Sequence, residues 1–316
     1  MSLKLAIKKT LTHFHFTFCS AQIMPPVNEM MMFKLCEVFS ESIPMAVIQL
    51  KNVLEVGGDV DWIVVGAFLV SIMFVAEAVS YMTYMKDISE ESRSTGKIFY
   101  GFMPLSGHRM HVVKISLLCM SFSCCTAKSL EIVVLLQVGG PFLAAQVLGA
   151  DLGIYLIYKF ARNDFRYWIP LPRGTSLIAS FALRVMVKIV TDFTGFLHAR
   201  HPFEMGGFYW FINMIMTQVG VFGALMVKQE FGWREGEGEV VVLPEEERVL
   251  KDEDYLKLAV LNFALWLISM AGLYIASEKK FNHTFYSLVT GKQFCRKLFE
   301  TDQAMTIMEI FNCHRR

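Results

Sequence analysis

Three ionisable side chains stand one helical turn apart inside an otherwise apolar run. They are Arg184, Lys188 and Asp192, within residues 175–197, TSLIASFALRVMVKIVTDFTGFL. Spacing of i, i+4 and i+8 places all three on one face of a helix. As a helix the run is about 35 Å long, enough to cross a bilayer. Eleven Leu, Ile, Val and Phe between Leu177 and Leu197 favour insertion by about 3–7 kcal/mol. Three charges near the middle cost on the order of 2.5–3.5 kcal/mol each. This helix is therefore not expected to insert alone, and its charged face needs partners of opposite charge, or water.

Glu77, Lys114 and Asp151 lie in other apolar runs. The intramembrane set then balances, with Glu77, Asp151 and Asp192 against Lys114, Arg184 and Lys188. Such charges either pair and fix the register of a helical bundle or line a polar path through it. A path of this kind suits ions, a proton relay or lipid headgroups, and the spacing does not choose among them.

Other chemistries have less support. His198, His201 and Glu204 have types that bind metal, but they stand where a helix ends before Pro202, with no second cluster, so no metal site is expected. Gly206-Gly207 lacks the surroundings of a phosphate loop, and no nucleophile–base motif occurs. Neither enzymatic activity nor a cofactor is expected. The seven cysteines form no CxxC pair, and Cys119, Cys124 and Cys125 sit in an apolar run as small hydrophobes.

The elements that must position these charges follow from the hydropathy pattern. A chain of 316 residues with 54% hydrophobic and 19% charged residues and mean hydropathy +0.43 is more apolar than a soluble domain. The net charge of +1 gives no footprint for nucleic acid. The expected fold is all-α, a polytopic helical membrane bundle with membrane lipids as its partners. Six spans are expected, at 61–85, 112–137, 140–160, 175–197, 206–228 and 257–277. Trp62, with Tyr81 and Tyr84, marks the interfaces of the first. The second is read as one span, with an end or a break at Lys128 and Glu131 as the alternative. In the third, Ala145, Gly149 and Gly153 form a small-residue face for close helix contact, and Asp151 looks away from it. The fifth carries Trp210, Asn213 and Gln218.

One more element, 33–56, carries Glu37 and Glu41 a turn apart, and Pro44 should kink or interrupt it. A half-embedded or broken helix is expected there. Residues 1–30 form an N-terminal segment, open between an interfacial stretch and a frayed start. Residues 31–277 form the transmembrane domain, with a solvated acidic loop at 229–256, and 278–316 form a polar tail. Lys and Arg outside the spans divide evenly between the two sides, so the positive-inside rule gives no orientation. The choice of membrane and the state of oligomerisation stay open.

The stretch Glu37-Val-Phe-Ser-Glu41-Ser42-Ile-Pro44-Met-Ala-Val-Ile-Gln49-Leu50 resembles the ExFxESxPQLxLQL segment of the XK-related membrane proteins, a family that includes phospholipid scramblases. Met45 stands where that family has Gln. The likeness covers residues 37–50; the YKFARNDF and FTGFLHARHPFEMGG stretches look more like polytopic membrane proteins of algal protists. The resemblance implies that Glu37, Glu41, Ser42, Pro44 and Gln49 line a membrane-embedded helix near a polar lipid path. It also implies that Arg184 and Asp151 help headgroups to cross. Three functions follow as expectations: a passive phospholipid translocator, an ion or small-solute channel or transporter, and a structural protein with paired charges. A charged stripe facing lipid favours the first, and one facing a closed interior favours the second.

Overall fold

The computed structural model describes residues 26–55, 62–95, 100–161, 173–200, 205–231 and 252–277, and every regular element among them is helical. In chain order these are α1 (Pro26–Glu37), a π-helical turn (Val38–Ser42), α2 (Ile43–Glu55), α3 (Trp62–Ile88), α4 (Glu90–Thr95) and α5 (His108–Ala161). They are followed by α6 (Arg173–Thr194), a 3-10 turn (Leu197–Arg200), α7 (Gly207–Phe231) and α8 (Asp252–Ala276).

Pro44 does not break its helix. The turn before it widens instead, so that the Ile43 N–H donates to Val38 O, five residues back. Proline brings no N–H to this region, and one π turn lets α1 continue into α2 without a gap. The expected interruption is thus a local rewinding.

α5 is the element on which the rest is assembled. Its 54 residues would extend about 80 Å if straight, but the chain turns a corner at Gly140, where φ is 67° and ψ is −168°. That conformation is essentially restricted to glycine, and Pro141 follows it. Gly139 is small for a second reason, since a Cβ there would lie 2.5 Å from the Leu143 Cβ. The corner folds the two halves back on each other. A Cβ on Gly195 would lie 3.2 Å from the Cys124 sulfur, while Lys188 Nζ is 2.7 Å from Asp151 Oδ2. Lys188 and Gly195 are about 10 Å apart along α6, whereas Cys124 and Asp151 on a straight helix would be about 40 Å apart. The halves therefore match the two spans expected at 112–137 and 140–160. The break lies at Gly140, and the helix runs unbroken through Lys128 and Glu131.

Helices α2, α3, α6, α7 and α8 all pack against α5. Ile72 and Val75 of α3, Leu117, Met120 and Val133 of α5, Trp210 and Met214 of α7 and Trp266 of α8 belong to the resulting core. The outer surface is apolar as well. Phe74, Phe142, Ile178, Met226, Leu261 and Ile275 are all exposed, while Lys128, Glu131, Arg184, Lys188 and Asp192 are buried. Charge inside and hydrocarbon outside is the reverse of a water-soluble domain. Among the described residues four helices are long and apolar enough to cross a membrane: Trp62–Ile88, His108–Phe160, Tyr209–Lys228 and Asp254–Ala276. α6 is not among these four.

The Ala145, Gly149 and Gly153 face differs from expectation. A Cβ on Gly149 or Gly153 would meet nothing within 4 Å, because this half of α5 turns its opposite side to α6. In the polar stretch 86–111 the described residues, 86–95 and 100–111, do more than a plain loop. α3 continues to Ile88, α4 follows, and residues near Met103 return onto α3, where the Met103 N–H donates to Asp87 Oδ2 at 2.8 Å. Arg93 donates to Asp87 O and to Met103 O, and the Tyr84 hydroxyl donates to Pro104 O. The N-terminal segment before residue 26, most of the acidic loop and the tail after residue 277 lie outside the described residues.

Candidate functional site

The charged face of α6 lies against both halves of α5 and against α7. Lys188 is 1% exposed, and its ammonium meets four oxygens. Asp192 Oδ1 and Oδ2 are each at 2.7 Å, Asp151 Oδ2 at 2.7 Å and Asn213 Oδ1 at 3.0 Å. Asn213 closes the arrangement by donating from Nδ2 to Asp192 Oδ1 at 2.7 Å. An ammonium has three protons to donate, so four close acceptors saturate it. Two carboxylates share one cation here.

Sequence places each partner simply. Lys188 and Asp192 are one turn apart on α6, Asp151 points from the second half of α5, and Asn213 points from the second turn of α7. The Thr191 and Thr194 hydroxyls donate back to Val187 O and Val190 O at 2.6 Å, which satisfies them without water. Arg184, one turn before Lys188, is also buried. Asp151 differs from the rest, with 35% of its side chain exposed while it holds the buried ammonium.

A second ion pair lies beside this cluster. Lys128 Nζ is 3.0 Å from Glu131 Oε2, and both side chains are buried. The charges of Asp151 and Asp192 reach Lys128, and those of Asp151 and Lys188 reach Glu131. The Glu131 carboxylate rests on the backbone of α7, where a Cβ on Gly220 would be 2.7 Å from Oε2. Lys128, Arg184 and Lys188 thus stand against Glu131, Asp151 and Asp192, three charges of each sign. Beyond them, Gln218 Nε2 donates to Cys124 Sγ at 3.6 Å, and Asn262 Nδ2 donates to Gln218 Oε1 at 3.1 Å and to Ser123 O at 3.0 Å. These bonds carry polar contacts across to α8.

Of the six intramembrane residues singled out from the sequence, the structure brings Asp151, Arg184, Lys188 and Asp192 together on the α5–α6 side. Glu77 and Lys114 are exposed on α3 and α5. Glu77 has no hydrogen bond or ion pair among the described residues, and the Lys114 ammonium lies 4.5 Å from the Tyr84 ring centroid. The resemblance motif is likewise on the outer side. Glu37, Glu41 and Pro44 are exposed, Ser42 and Gln49 are half-buried, and Glu37 pairs with Lys34 at 2.8 Å. Just before the motif, the Cys36 thiol donates to Met186 Sδ of α6 at 3.7 Å. His198 is a core histidine, its Nε2 2.9 Å from Thr83 O. His201 and Glu204 lie outside the described residues, and no group of three metal-binding side chains forms among those described.

In the sequence, Lys128 and Glu131 stood either within a span or at its end, and Asn262 did not stand out. The signal for the pair was present, since i, i+3 spacing of opposite charges within an apolar run is itself an ion-pair pattern. Asn262 offered none beyond being a polar residue in a span.

Comparison with protein-family models, with curated proteins and with solved structures finds no match to this chain.

Proposed function

We propose that the chain is a multi-pass membrane protein whose α5, α6 and α7 enclose a path for an ion. The observation that carries this reading is the burial of Lys188 among Asp151, Asp192 and Asn213. Ionisable side chains at membrane depth are costly and mark ion pathways and proton relays. The six-span arrangement fits: α3, the two halves of α5, α6, α7 and α8. Lys128 and Asp151 each lie about 17 Å from the Gly140 corner along their half of α5. With that corner at one membrane surface, the charge layer sits near the middle of a hydrocarbon core about 30 Å thick.

Burial of Arg184, Lys188 and Asp192 favours an enclosed path over a groove open to lipid. Lipid translocation is the second reading, supported by the half-exposed Asp151 carboxylate and by Glu41 and Glu77 on outward faces. One preparation tests both. Purified protein in liposomes is assayed for ion flux under an imposed potential and for loss of a headgroup-labelled lipid to a quencher that cannot cross. Ion flux without scrambling is the expected result. Scrambling without ion flux would replace the first reading with the second.

A further inference from the structure

The geometry around Lys188 discriminates among ions. Resting on the ion-path reading above, we infer that the conducted species is a proton, loaded at Asp151 and handed through Lys188 to Asp192. All the contacts that join these groups are direct, at 2.7 Å. Such spacing leaves no room for a hydrated metal ion between donor and acceptor, whereas a proton needs only hydrogen-bond contact. Asp151 is the half-exposed member of the trio, while Lys188 and Asp192 are buried, so entry of the proton is assigned to that carboxylate.

The transfer balances. Hydronium gives a proton to Asp151, forming an O–H bond and leaving water. The Lys188 ammonium gives one of its protons to Asp192, breaking an N–H bond and forming an O–H bond. The neutral amine then takes the proton from Asp151. Asp192 releases its own to the opposite side, and each group has returned to its starting state with one proton moved.

The groups that set this equilibrium come from every neighbouring element. α5 contributes Cys124, Lys128, Glu131 and Asp151, and α7 contributes Asn213 and Tyr209, which feels the charges of both aspartates. α6 itself adds Arg184 and Lys188.

The test uses the full chain in liposomes loaded with a pH indicator, under a potassium diffusion potential or an imposed pH step. In the pH-step arm Na+ and K+ are replaced by a bulky organic cation. The expected result is internal acidification that persists without Na+ or K+. It should fall at least tenfold in Asp151→Asn and in Asp192→Asn, with Asp192→Glu retaining part of it. Each variant is first shown to be monodisperse and helical. Flux that requires Na+ or K+ and moves no protons would overturn the proton and leave the ion path standing. Undiminished acidification in both Asn variants would overturn the route. No flux of any ion from folded wild-type protein would overturn the ion path itself.

Discussion

Lys188 and Asp192 stand one turn apart on α6, and a single ammonium holds both carboxylate oxygens at 2.7 Å. Along a helix this is the less favourable order, since an acid preceding a base suits the helix dipole better. The pair is therefore poorly explained as helix support. Its partners lie across the bundle, on α5 and α7, and it joins three elements at one point.

Removal of one member should expose the cost. Lys188→Met leaves Asp151 and Asp192 without the cation that joins them, and loss of one partner of a buried pair costs about 3–5 kcal/mol. The double variant Lys188→Met with Asp192→Leu should recover most of that loss. Thermal unfolding in detergent, compared across wild type, the two single variants and the double, measures the coupling.

Two glycines of α7 should respond in opposite directions. A Cβ at Gly220 would press on the Glu131 carboxylate, while one at Gly223 would meet nothing within 4 Å. Gly220→Ala should destabilise by disturbing the Lys128–Glu131 pair. Gly223→Ala should be neutral or stabilise by up to about 1 kcal/mol through helix propensity. The same unfolding assay separates them, and equal shifts would contradict the close approach of Glu131 to α7.

The α5 corner rests on Gly140. Its φ of 67° with ψ of −168° is strained for any residue with a Cβ, so Gly140→Ala should cost on the order of 1–3 kcal/mol. Cysteines placed on facing positions of the two halves should cross-link less readily in that variant. Unchanged stability and cross-linking would argue against a tight reversal.

Segment 175–197 should insert poorly by itself in a glycosylation-reporter assay and better when both halves of α5 precede it. Its Lys188 donates to Asp151 of α5 and to Asn213 of α7. Efficient insertion of the isolated segment would remove the need for those partners.

Much of this arrangement was legible in the sequence, for identifiable reasons. Long apolar runs reveal helices directly, and the i, i+4, i+8 spacing of Arg184, Lys188 and Asp192 fixes a common face regardless of tertiary context. Asp151 was legible as a charge on the side opposite Gly149 and Gly153, but that side, and not the glycine face, packs against α6. What local pattern does not encode is which faces meet. Glu77 and Lys114 sit in apolar runs as Asp151 does, yet α3 and the first half of α5 turn them outward. The small-residue face of α5 carried a packing signal that no described helix answers. At Pro44, the missing N–H was visible, but absorption by a π turn rather than a break depends on the backbone as a whole.

The measurement that bears most directly on the central claim is ion flux through the double variant Lys188→Met with Asp192→Leu, reconstituted in liposomes. Packing is largely kept in that protein while the shared cation site is gone. A stable protein with flux at the level of empty liposomes is the expected result. A stable double variant with wild-type flux would mean that the cluster holds the bundle together and conducts nothing.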